Sequence, residues 1–74
     1  MADELVRIEV AVDGGQIMGA LVTPDSADAL DRALRAGSAG TVELDAEEGT
    51  IVLVLPRVLY FKRFARETRV GFKA

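Results

Sequence analysis

The chain has 74 residues, half of them apolar, and contains neither cysteine nor histidine. That excludes disulfides, thiolate zinc sites, cysteine nucleophiles and imidazole chemistry, and leaves packing alone to hold one small domain over 1–74. The net charge of −3 conceals a division: residues 1–50 hold eleven acids and three bases, whereas 51–74 hold six bases (Arg57, Lys62, Arg63, Arg66, Arg69, Lys73) and one acid, Glu67.

Leu5 to Val12 alternates, with Val6, Ile8, Val10 and Val12 on one side, as in a half-buried strand. Asp13-Gly14-Gly15 is a turn signal, and Gln16 to Val22 reads as the second arm of a hairpin. Gly19 inside that arm points to a bulge or a close backbone approach. Thr23-Pro24-Asp25 opens a helix with a capping hydroxyl, a proline suited to the first turn and an acid at the positive end of the dipole. Its apolar stripe is Ala27, Leu30, Ala33 and Leu34, and Asp28–Arg32 and Asp31–Arg35 have ion-pair spacing. Gly37 ends it.

Thr41 to Asp45 alternates again, and Ala46-Glu47-Glu48-Gly49 is a polar turn. Thr50 to Leu55 is apolar on both sides, with Ile51, Leu53 and Leu55 facing one way and Val52 and Val54 the other. A strand of that kind calls for cover on both sides, which one short helix cannot provide. Segment 57–64 fits a strand better than a helix that would start at Pro56. As a strand it sets Val58, Tyr60, Lys62 and Phe64 on one side. Residues 70–74 read as a frayed tail. The expected fold is α+β: a small antiparallel sheet of four to five strands, order ββαββ(β), with one short helix. The sheet is expected either to curl or to be completed by a dimer partner.

The C-terminal third interleaves bases with all four aromatics of the chain. Arg57, Tyr60, Lys62, Arg63, Phe64, Arg66 and Arg69 are the candidate binding residues. Cations and aromatic rings suit an acidic protein surface or another subunit. They suit nucleic acid second, because phosphates meet cations and unpaired bases stack on rings. The plain alternative puts the aromatics in the core and the bases on a solvated face. The eight further acids that predominate in 1–50 count against a polyanion.

Neither a divalent-cation loop nor a phosphate cradle is legible. Asp45, Glu47 and Glu48 lack the alternating oxygen ligands of the former, and Gly14-Gly15 leads into a strand rather than a helix N-terminus. No serine or threonine has a neighbouring base by local sequence, and an enzyme built on Tyr60 or the carboxylates is the remote reading. The expectation is a non-enzymatic binding or self-associating module without a cofactor, a homodimer or higher homo-oligomer. It is expected to be cytoplasmic, because Met1-Ala2-Asp3-Glu4 lacks the marks of a signal peptide and no apolar run is long enough to span a membrane.

Overall fold

Apolar residues at every second position decide which side of β1 (Val6–Val12) and β3 (Thr41–Ala46) turns inward. The computed structural model describes residues 4–64. Over them the chain forms β1 (Val6–Val12), β2 (Gln16–Val22), α1 (Pro24–Arg35), β3 (Thr41–Ala46), β4 (Gly49–Val54), a 3-10 turn (Leu55–Arg57) and β5 (Val58–Arg63). The sheet is antiparallel with the order β4-β3-β2-β1-β5. Fold class and element order are those expected from the sequence.

The β1–β2 hairpin pairs without interruption from Val6↔Val22 to Val12↔Gln16. Its turn needs Gly14 and Gly15, whose φ values of 95° and 83° lie in the left-handed region that side chains avoid. Gly19 is not a bulge: it stands opposite Glu9 in regular register. A Cβ there would meet the Ile8 carbonyl at an ordinary 3.7 Å.

Helix α1 starts where Thr23, extended at φ −68° and ψ 151°, accepts the Ser26 amide through its hydroxyl at 3.2 Å. Ser26 is buried, and its own hydroxyl oxygen accepts the Asp45 amide at 2.8 Å. The helix cap and the end of β3 are thereby joined. Ala27 and Leu30 are fully buried, and Ala33 and Leu34 flank them. Asp31 pairs with Arg35 as spaced, but Asp28 does not take Arg32. Its carboxylate accepts instead from Arg63, a tertiary partner that local spacing does not show.

The sheet must curl, by a simple length argument. In a flat five-stranded sheet the two edges would lie about 19 Å apart. β4 and β5 are those edges, and Val54 and Val58 are joined by four Cα steps that reach about 14 Å at most. The curl is concentrated between β2 and β3, which form one ladder pair, Val22↔Ala46. Hydrogen bonds from Thr23 N–H to the Asp45 carbonyl and from Glu47 N–H to the Leu21 carbonyl secure that corner. Beyond it the strands part, and α1 packs against β3 and β1. The 3-10 turn secures the opposite side: Leu55 N–H donates to Gly40, and Asp13 N–H donates to Arg57. Closure stops there, because no ladder joins β4 to β5 among the described residues.

The core is Ile8 and Val10 of β1, Val22 of β2, Ala27 and Leu30 of α1, Leu44 of β3, Leu53 of β4, and Leu55. Of the two apolar sides of β4, the one that carries Leu53 turns inward. The other side of the doubly apolar strand is uncovered, with Val52 55% and Val54 50% exposed. Leu55 belongs to the 3-10 turn rather than to the strand.

Segment 57–64 is strand from Val58 to Arg63, but not with the simple alternation of the sequence reading. A bulge places Ala11 opposite Tyr60 and Val12 opposite Val58, so Leu59 is the extra residue. Val58 and Phe61 both pack against the core, while Tyr60 and Lys62 face outward. The expected grouping of Val58 with Tyr60 is therefore corrected. The tail 70–74 lies outside the described residues.

Candidate functional site

Because β1 lies between β2 and β5, its outward residues meet partners on both sides. Arg7 stands opposite Leu21; Glu9 stands opposite both Gly19 and Lys62; Ala11 stands opposite both Ile17 and Tyr60. The Tyr60 hydroxyl donates to the Glu9 carboxylate at 2.5 Å. Phe64 extends the pairing one residue beyond β5, its amide donating to the Arg7 carbonyl at 3.0 Å. Two cations lie over its ring, Lys62 Nζ at 4.6 Å and the Arg7 guanidinium carbon at 5.3 Å from the centroid. Each such contact contributes about 0.5–1 kcal/mol at an exposed site. The result is an amphipathic face on which Ile17 is 61% and Tyr60 44% exposed.

The structure divides the residues proposed from sequence. Tyr60, Lys62 and Phe64 come together on this face. Arg57 stands in the 3-10 turn, 3.4 Å from the Asp13 carboxylate. Arg63 lies on the inner side of β5, opposite Ile8, and reaches over to Asp28 on α1 at 2.7 Å. Arg66 and Arg69 lie outside the described residues. The acidic and basic parts of the sequence thus meet within one chain, and two of the counted cations are partnered there. Such exposed pairs contribute little to stability, about 0–1 kcal/mol, but they lower the positive potential offered to a ligand.

Sequence reasoning missed Arg7 and Ile17 as members of the face. Both occupy outward positions of β1 and β2 by simple alternation. Only the strand order places them beside Phe64 and Tyr60, since β5 could equally have paired with β4.

The Glu9 hydrogen bond is the main cause of a raised Tyr60 pKa, reinforced by burial and by the Glu9 charge. Each cause disfavours the phenolate. Glu9 and Tyr60 thus converge, but on an exposed sheet face and in a way that keeps the phenol protonated. Among the described residues, no three acids are grouped so as to hold a metal ion. Nor is any helix long and apolar enough to cross a membrane.

Comparison with protein-family models, with curated proteins and with solved structures returns no match for this chain.

Proposed function

We propose that the protein acts by binding, and that the outer face of β1 and β5, flanked by β2, is its contact surface for a protein partner. The observation that carries this reading is the Phe64 ring held under Lys62 and Arg7, beside a tyrosine fixed by Glu9. Rigid aromatics with adjacent cations are the residue types that dominate the energetics of protein interfaces. Ile17 and Leu21 add apolar area without a covering element. A catalytic role finds less support, because Glu9 strengthens the proton on Tyr60 instead of withdrawing it. Lys62 and Arg7 favour a partner surface that carries carboxylates.

The test is affinity capture with the parent and with a Lys62→Glu/Phe64→Ala variant, followed by titration of the recovered complex at two salt concentrations. Both positions lie outside the inner core, so the variant should stay folded but melt lower than the parent, because the ring contacts are lost and a second acid faces Glu9; binding is compared below its melting range. The expected result is a partner bound by the parent and lost by the variant, with salt slowing association and an aromatic anchor holding the complex. Equal binding by the variant would refute the assignment of this face. A single-stranded oligonucleotide titrated in parallel tests the nucleic-acid alternative. There, log affinity would fall with log salt by about 0.7 per phosphate contact.

A further inference from the structure

We propose that two copies of the chain pair through β4 of each, antiparallel across a two-fold axis at Val52, joining their sheets into one. The inference rests on the self-associating side of the binding function above but uses the opposite end of the sheet.

The two sheet edges differ in kind. The β5 edge has a bulge at Leu59 and charges at Lys62 and Arg63, devices that discourage strand addition. β4, Gly49–Val54, has no charge, no proline and no register shift. The phase of its free groups follows from the ladder. Leu55 N–H donates to Gly40, and Ala46↔Gly49 closes the two-residue turn, so the odd-numbered residues of β4 bond to β3. Thr50, Val52 and Val54 therefore turn their amides and carbonyls away from β3. Among the described residues no strand pairs with them.

An antiparallel partner centred on Val52 matches this phase. It sets Val52 against Val52 and Thr50 against Val54, and each of these hydrogen-bonded pairs exchanges two bonds. The exposed Val52 and Val54 side chains then stack across the axis, as β-branched cross-strand pairs do. Charge selects the same arrangement. The strand is entered from Glu47-Glu48 and left through Arg57. An antiparallel partner brings the Glu47-Glu48 turn that precedes β4 in one copy toward the end of β4 that Arg57 follows in the other, twice. A parallel pairing would set acids beside acids. Arg57 is available for this contact, since its side chain is 67% exposed and its link to Asp13 is a long 3.4 Å.

The experiment is sedimentation of the 74-residue chain over a concentration series, with amide exchange read at Thr50, Val52 and Val54. The expected result is a concentration-dependent dimer in which those amides become protected. Val52→Lys places like charges on the axis and should raise the dimer dissociation constant more than tenfold without changing the fold, because Val52 faces solvent. Glu47→Arg and Arg57→Glu should each weaken the dimer about fivefold, and the two together should restore it. The chain has no cysteine, so Val52→Cys tests register directly. Its Cα atoms would stand about 5.5 Å apart, within disulfide range, whereas Thr50→Cys would not link to itself.

A monomer at every concentration overturns the proposal. If the β4 amides are protected in that monomer, the chain's own C-terminal residues cover the edge instead. A dimer indifferent to Val52→Lys also overturns it. If Lys62→Glu/Phe64→Ala dissolves that dimer, self-association survives through the β1–β5 face and only the β4 pairing fails.

Discussion

Leu53 and Val52 are neighbours on one strand, and replacing each by alanine should have very different consequences. Leu53 is 6% exposed and lies in the cluster that includes Leu30, Leu44 and Leu55; Val52 is 55% exposed. Leu53→Ala removes three carbons, a transfer loss of about 2.4 kcal/mol at about 0.8 kcal/mol per methylene. The cavity term adds to it, and because β4 is an edge strand that can settle inward, a total near 3 kcal/mol is expected, toward the lower end of the measured range for such changes. A 74-residue chain at about 0.05–0.15 kcal/mol per residue has about 4–11 kcal/mol in all. The variant should therefore melt about 12–24 °C lower, at 4–8 °C per kcal/mol for a domain of this size. Val52→Ala should cost under about 1 kcal/mol, its main loss being strand propensity. Urea titrations repeated at falling protein concentration until the midpoint no longer changes isolate the fold from any association. Equal losses for the two variants would refute the placement of β4. A one-residue slip exchanges every side chain between the two faces of a strand.

Ser26→Ala should destabilise the fold by about 1–3 kcal/mol, because the Asp45 amide loses the hydroxyl that accepts it in a partly buried corner. Faster exchange of the Asp45 amide, measured by NMR, checks that the loss arises there. Tyr60 is the one tyrosine of the chain, so ultraviolet absorbance reports its ionisation without interference. Its midpoint should lie above the ordinary 10.0 and move back toward it in Glu9→Gln, since a neutral amide neither repels the phenolate nor accepts the hydroxyl proton as strongly. The folded state holds this proton more tightly than the unfolded state. The pair's contribution to stability is thus fully present below pH 10 and is lost as pH rises through the raised midpoint. A midpoint unchanged by Glu9→Gln would mean the hydrogen bond does not persist in solution.

Local chemistry was enough to specify the elements. Period-two alternation marked β1 and β3, a hairpin signal marked β2, an apolar run marked β4, Thr23-Pro24 and Gly37 bounded the helix, and Gly14-Gly15 marked the first turn, because each of these depends on neighbours in the chain. The inward positions of Ile8, Val10 and Leu44 were legible for the same reason, whereas Leu53 was placed centrally without its side being settled. The strand order was not. Nothing local says that β5 crosses to β1 instead of pairing with β4. That placement follows from the corner at Val22 and Ala46 and from the short span between Val54 and Val58. It puts Lys62 and Tyr60 opposite Glu9, and it lets Phe64 reach Arg7. It also creates the bulge at Leu59, which absorbs a mismatch between two strands and so has no signature in either one. Arg57 and Arg63 read as free cations in the sequence, and the fold partners them with Asp13 and Asp28, 44 and 35 residues away. Local pattern settled the inward and outward sides of β1 and β3; the facing of the doubly apolar β4 and of the bulged β5, and which outward residues meet, came from strands brought together from distant parts of the chain.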